Sequence, residues 1–307
     1  MDLAPGAAAR DRLRRRIEAR IDALPVLPAT FTRLMALDPG AEDYHERLVA
    51  IVEESPTFAA RVMSAANSAE SAPRATIATV RAAVTRIGSL RTVELVAAHA
   101  VAMVFVPREP WEKAIWRHAV LTATAARMMA ARARDRHLMP DEVYLAGLLH
   151  DIGRFIMLAE VPDLAQQLEE GRWASAQELA VAERGLTGTT HMELGAEALR
   201  RWRLPETLVL VARDHHDPEP AATSTRVGKL VALVRFADAA MRPASLPGSA
   251  GLAEADDHFI AQALVGKLPP FVFATEAELA QLVRLAAAEG EAVCGALGIG
   301  ETLTALA

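Results

Sequence analysis

Apolar positions recur at helical spacing along nearly the whole chain, and long apolar–polar alternations, which would mark half-buried strands, are absent. Asp11 to Ile21 (DRLRRRIEARI) sets the pattern. Leu13, Ile17 and Ile21 recur every four residues with arginines between them, which predicts an amphipathic helix with a basic face. Such a face is either a solvated outer surface or a contact for a membrane or nucleic acid. Leu24-Pro25-Val26-Leu27-Pro28 breaks this helix. The pattern then predicts helices over 29–37, 44–53, 58–66, 76–87 and 90–104, with Asp38-Pro39-Gly40 as a turn and Gly88 separating the last two. Asn67-Ser68 closes the 58–66 helix, and Asn67 is expected at that terminus, bonded to neighbouring backbone.

Pro107 and Pro110 mark a boundary, beyond which the predicted helices lengthen: 116–134, 141–158 punctuated by Gly153, 164–170 and 175–185. Thr190-His191-Met192-Glu193 is a capping-box pattern and starts a helix running to Trp202. Pro205 opens another that ends near His216, and 227–241 is one more. Pro243 to Gly251 reads as a linker, with helices near 257–265 and 276–297 after it.

Composition agrees with an all-α chain. Of 307 residues, 52% are hydrophobic and only 5% aromatic, with alanine, the best helix former, prominent. The net charge of −6 argues against a protein that coats nucleic acid. The one cysteine, Cys294, excludes an intramolecular disulfide and a cysteine-rich zinc site, and fits a reducing compartment. Residues 1–16 lack the apolar core of a secretory signal. The longest apolar stretch, Leu95 to Val106, is twelve residues interrupted by His99, short of the roughly 20 that a membrane span needs. The expectation is a cytoplasmic protein.

The histidines carry the chemistry. His118, His150-Asp151, His191, His215-His216 and Asp238 form an ordered set of seven candidate metal ligands at predicted helices or their ends. Imidazole and carboxylate together suit iron, manganese, zinc or nickel. A carboxylate has two oxygens and can bridge two ions. Adjacent histidines on a helix diverge by about 100° and seldom serve one ion alike. Seven ligands exceed one tetrahedral site and suit two ions about 3.5–4 Å apart. Taken singly, each residue also has a structural reading: His118 as a core histidine, His150 as a cation at a helix end, Asp151 as a turn former, His191 as a first-turn surface residue, His215-His216 as an exposed helix end. Asp238 resists this, because a carboxylate on a mostly apolar helix needs a partner.

The order His, His-Asp, His, His-His, Asp resembles the HD-domain metal phosphohydrolases. Gly147-Leu148-Leu149-His150-Asp151-Ile152-Gly153 is similar to their HD motif, and His191 to Glu197 to the HxxxGA stretch of the HD-GYP branch. Ile51 to Pro56, Ala66-Asn67-Ser68, Ala83 to Gly88 and Trp202-Arg203-Leu204-Pro205 resemble the HDOD family, the HD-related output domain of bacterial signalling proteins. The resemblance covers about Leu24 to Met241. It implies an N-terminal helical half over 24–109 packed on an HD-like metal-site bundle over 110–242; the residue pattern adds an amphipathic helix over 1–23 and a linker with C-terminal helices over 243–307. It implies a divalent metal, one or two ions, with iron or manganese foremost and zinc, nickel or magnesium otherwise.

The resemblance also implies a regulator that binds a signalling protein or a nucleotide; hydropathy and charge predict neither a membrane span nor a nucleic-acid partner, a DNA-binding alternative resting only on the Arg12 to Arg20 face. The alternative is a metal-dependent phosphohydrolase of nucleotides or cyclic nucleotides, in which Asp151 and Arg154 would be catalytic, Arg154 steadying phosphate charge. Two departures bear on that alternative. Arg154 stands where catalytic relatives usually have lysine, and the two cations meet phosphate differently. Asp217-Pro218-Glu219-Pro220 stands where the cyclic di-GMP phosphodiesterases carry a Gly-Tyr-Pro loop, so cyclic di-GMP hydrolysis is not expected.

Overall fold

The computed structural model describes residues 6–23, 29–68, 76–133, 135, 138–171, 173, 175–219, 221–245 and 257–299. The proline-rich break at 24–28 and most of the 243–251 linker lie outside the described residues. Within them the secondary structure is helical, and the only extended pairing is an isolated bridge between Ala133 and Val272. The helices are α1 (Ala7–Ala23), α2 (Ala29–Met35), α3 (Tyr44–Glu53), α4 (Pro56–Ala66), α5 (Val80–Ile87), α6 (Ser89–Val104), α7 (Pro110–Ala130), α8 (Pro140–Leu149), α9 (Ile152–Glu160), α10 (Pro162–Glu170), α11 (Ala176–Thr187), α12 (His191–Arg201), α13 (Glu206–Asp214), α14 (Arg226–Ser245), α15 (Asp257–Leu264) and α16 (Glu276–Leu297).

The chain divides into two compact units. One takes 1–25 and 107–290, the other 26–106 and 291–307. In the smaller unit, Phe31, Leu48, Phe58, Val62, Val84 and Leu95 are buried together on α2 to α6. Helix ends there follow local rules. Ser55 caps α4 through Phe58 N–H with Pro56 in the first turn, and Thr79 caps α5 through Ala82 N–H. Asn67 sits at the α4 C-terminus. Its amide donates to the carbonyls of Met63 (3.0 Å) and Ile77 (2.9 Å) and accepts from Ile77 N–H (2.8 Å), pinning α4 to the segment that leads into α5.

The larger unit carries the candidate chemistry. Trp116, Leu121, Met129, Tyr144, Phe155 and Phe236 form its core. Helix α1 belongs to it: Ile17 and Ile21 are buried, and α1 packs on α9, α11 and α12. Part of its basic face is used internally, since Arg16 donates to the Glu160 carboxylate at 2.5 Å. Where the sequence predicts one helix over 141–158 broken at Gly153, there are two, and the break falls at His150-Asp151. Gly153 is instead inside α9, where a Cβ would collide with the His191 carbonyl. Glycine is required there because α9 and α12 touch backbone to backbone. Gly147 does the same for α8 against α7, where a Cβ would sit 2.6 Å from Ala123 Cα.

No single helix among the described residues is long and apolar enough to cross a membrane. Only α5 and α6 together reach that length, and they are bent by 109°.

Candidate metal centre

The two close helix contacts place His118, His150, Asp151 and His191, and the packing of α13 on α12 and of α14 on α7 adds the other three candidate ligands. His118 lies mid-way along α7, His150 and Asp151 fill the α8–α9 break, and His191 is the first residue of α12. His215-His216 follows α13, and Asp238 lies on α14. The α12 start is fixed by its capping box: Thr190 Oγ1 accepts from Glu193 N–H, and Glu193 accepts from Thr190 N–H, each at 3.2 Å. All seven are buried except His216, which is partly exposed.

They form two groups. Asp151, His191, His215 and His216 offer ligand atoms within 4.8 Å of one another, and so do His118, His150 and Asp238. Asp151 lies between them. Its Oδ1 is 3.4 Å from His191 Nε2 and 3.3 Å from His215 Nε2; its Oδ2 is 3.5 Å from His150 Nε2 and 3.8 Å from His118 Nε2. His118 Nε2 is also 3.0 Å from Asp238 Oδ1, and His216 Nδ1 is 3.7 Å from Asp238 Oδ2. The doublet thus reaches both carboxylates, as divergent neighbours should.

Three imidazoles are oriented from behind. The Nδ1–H of His150 donates to the Gly147 carbonyl (2.6 Å), that of His215 to the Ala212 carbonyl (2.9 Å), and that of His191 to the Glu183 carboxylate (2.7 Å). With the proton on Nδ1, each Nε2 presents a lone pair inward. His191 Nε2 and His215 Nε2 face each other at 3.4 Å. Two lone pairs and a carboxylate oxygen at these distances repel unless a cation lies among them. Ligands about 2.1 Å from one tetrahedral ion lie about 3.4 Å apart, the spacing seen here. His150 Nε2 and Asp151 Oδ1 are buried with no hydrogen-bond partner, as ligand atoms awaiting an ion would be. The donor set therefore fits a divalent metal.

The titration behaviour follows from the same crowding. Burial, reinforced by His215 and His118, pushes the His150 imidazole down to about 4. Burial likewise holds His216 well below its usual value, with His215 adding to it. Burial opposes charge on Asp151 and Asp238, yet both carboxyls stay well below their usual range. His150 and Arg154 hold the first; His118 and Arg242 hold the second. Burial also opposes a proton on His191, but Glu183 and Asp151 lift it above the usual histidine value.

Three participants escape sequence reading. Glu183, buried on α11, accepts both the His191 backbone N–H (3.0 Å) and its Nδ1–H. Glu169 on α10 accepts the fork of Arg154, whose remaining nitrogen reaches Asp151 Oδ2 at 2.7 Å. Arg242 donates to both Asp238 oxygens at 3.1 and 2.9 Å. Arg242 had a usable signal, the i,i+4 spacing from Asp238 on one helix. Glu183 and Glu169 had none, because their partners lie on other helices.

Residues 24–218 match the family model described as the HDOD domain. The chain belongs to the HDOD family. Solved structures with the same fold include an HDOD domain protein of unknown function from Geobacter sulfurreducens. It is 23% identical, covers 94% of this chain and 98% of its own, and has a TM-score of 0.67. A candidate signal transduction protein from Marinobacter aquaeolei is 20% identical over 97% of this HDOD chain and 67% of its own, TM-score 0.65. A candidate phosphohydrolase from Shewanella amazonensis is 22% identical over 92% and 98%, TM-score 0.63. An uncharacterized protein of Treponema pallidum is 24% identical over 226 residues. That match takes in 74% of this HDOD chain but 44% of the relative, so the chain spans less than half of that protein.

Proposed function

We propose that this HDOD chain is a signal-transduction module that retains a divalent-metal centre and acts by binding a signalling protein or a nucleotide rather than by turnover. His118, His150, Asp151, His191, His215, His216 and Asp238 would hold the metal, with iron or manganese favoured by the mixture of imidazole and carboxylate. The observation that carries the regulatory reading is the state of Arg154. Its fork is directed at Glu169 and its remaining nitrogen at Asp151, both carboxylates of this chain. Arg242 is paired with Asp238 through Nη2. A centre whose ligands are almost all buried and whose arginines are paired within the chain suits holding an ion.

One observation favours the second reading, a metal-dependent phosphohydrolase. The two oxygens of Asp151 face two separate ligand groups, an arrangement suited to a pair of ions. Bound divalent ions would supply Lewis-acid charge and lower the pKa of water. His150 and Asp151 would then orient the reacting centre, and Arg154 would have to leave Glu169 to touch substrate.

The test is elemental analysis of the purified protein, then a screen of nucleotides and cyclic nucleotides, cyclic di-GMP included, after anaerobic loading with iron or manganese. The expected result is bound metal with turnover well under about 1 s⁻¹, the low end for ordinary enzymes. Turnover at or above that rate, abolished by His150→Ala, overturns the regulatory reading. Protein that neither carries nor takes up metal overturns the metal centre.

A further inference from the structure

We infer that the cavity between α14 and the 267–270 turn is a binding site for a small organic carboxylate with an apolar body, its carboxylate meeting Arg235. The site is separate from the metal centre and does not rest on the metal reading.

The cavity has a volume of about 330 Å³. That lies within the range of small-molecule sites, about 300–1,000 Å³, which are mostly apolar with a few placed polar groups. One wall is a stripe of α14: Ala232, Arg235, Phe236 and Ala239, spaced i, i+3, i+4 and i+7 on one helix face. The alanines at the two ends stop at Cβ and leave room on either side of the guanidinium. Leu268 and Pro269 supply apolar surface across the cavity, and Lys267 brings a second cation. None of the described lining residues is acidic. The loop that closes the cavity is held against α14, since a Cβ at Gly228 would strike the Ala222 carbonyl. Asp238 precedes Ala239 by one residue and points about 100° away from it. The cavity and the proposed metal ligand thus take different faces of the same helix.

Arg235 is the feature that calls for an anion. It is half-buried, and among the described residues no carboxylate pairs with it. Its Nε and Nη2 donate to the Asp214 carbonyl at 3.1 and 2.5 Å, and Nη1 donates to the Glu219 carbonyl at 2.7 Å. Carbonyls satisfy the donors but carry no charge to answer the guanidinium. The neighbouring carboxylates are engaged elsewhere: that of Asp214 accepts from Arg213 at 2.6 and 2.8 Å, and that of Asp217 accepts from Glu219 N–H at 2.9 Å. Burial accordingly pulls Arg235 below its ordinary value, with Asp217 and Asp214 opposing it. A guanidinium has five N–H groups; three are used here, and two remain for a ligand. The carbonyl bonds fix the plane of the guanidinium before the ligand arrives, which lowers the ordering cost of binding. A hydrogen bond to a charged group is worth about ten-fold or more in affinity.

The experiment is a ligand-observed NMR titration of the full chain, in the metal state in which it is purified, with benzoate, benzamide and acetate. Benzoate is expected to bind wild type saturably. Benzamide, which lacks the charge, and acetate, which lacks the ring, are each expected to bind about ten-fold or more weakly. Arg235→Gln should bring benzoate down to the benzamide level. Ala239→Leu, which fills the cavity without touching the guanidinium, should weaken both aromatic ligands about ten-fold. Wild type that binds no benzoate, binds benzamide equally well or binds acetate equally well overturns the inference, and so does wild-type benzoate affinity in either variant. Should Arg235→Gln unfold through loss of its carbonyl bonds, Ala239→Leu and the three-ligand comparison in wild type still decide. Elemental analysis of the same samples reads metal independently, so protein without metal strikes the proposed metal centre and leaves the carboxylate site standing.

Discussion

Replacing Glu183 tests the centre at its least obvious support. The carboxylate is buried beside His191 and accepts two of its protons, from the backbone N–H at 3.0 Å and from Nδ1 at 2.7 Å. It thereby starts α12, sets the tautomer of His191 and makes its Nε2 a better donor. Glu183→Gln keeps the volume and one acceptor but loses the charge. Polar groups behind a ligating histidine typically govern about 10–100-fold in metal affinity, and that is the expected loss. In the metal-free protein the consequence differs. There burial opposes a proton on His191, and Glu183 chiefly lifts its pKa above the usual histidine value. Glu183→Ala leaves the buried N–H groups of His191 without their acceptor, for which about 1–3 kcal/mol is the usual penalty. Competition with a fluorescent chelator measures the affinity, and urea unfolding of the metal-free protein measures the stability. Glu183→Gln with wild-type metal affinity, together with Glu183→Ala less than about 1 kcal/mol destabilised, would refute the assignment of Glu183 as the anchor of His191.

Three further outcomes are expected. Gly153→Ala forces α9 away from the His191 carbonyl, and should cost about 1–3 kcal/mol in urea unfolding and lower metal content, since α9 and α12 carry ligands on either side of that contact. Below about pH 6.5 the unfolded chain protonates a histidine that the folded chain, with His150 at about 4, does not, so metal-free stability falls as pH drops through that window. His150→Gln should flatten the curve by about one proton, while His216 contributes in the same direction and the depressed carboxyls act at lower pH. Asn67→Ala loses three bonds to backbone across 63–77 and should destabilise by about 1–3 kcal/mol in chemical denaturation, because the N–H and carbonyl of Ile77 lose the Asn67 amide, while the Met63 carbonyl keeps the backbone N–H of residue 67.

The helices were legible because apolar spacing and caps are local. α3, α12 and α16 lie where pattern, capping box and flanking turns place them. The seven candidate ligands were legible as an ordered set of residue types, and they meet in space. Local reading misplaced several ends, α5 running Val80–Ile87, α7 running Pro110–Ala130 and α14 continuing through Pro243 to Ser245, and it misplaced the helix break. Glycine at 153 reads as punctuation, yet it serves a close helix contact, and the chain turns instead at His150-Asp151. The charged supports were illegible for a related reason. Glu169 and Glu183 look like ordinary solvated positions on α10 and α11, and only tertiary packing gives them Arg154 and His191 as partners.

The charge of the centre connects the two functional readings. Asp151, Asp238, Glu169 and Glu183 outnumber the facing Arg154 and Arg242, an excess of two negative charges before any imidazole proton is counted. One divalent ion cancels them. Such a state is electrically complete, needs no anion from outside, and leaves both arginines where they are. A second ion reverses the sign, and a buried positive excess is costly until an anion enters to meet it. On the proposed reading, a one-ion centre would be closed, whereas a two-ion centre would demand an anion, and counting the bound metal decides between them.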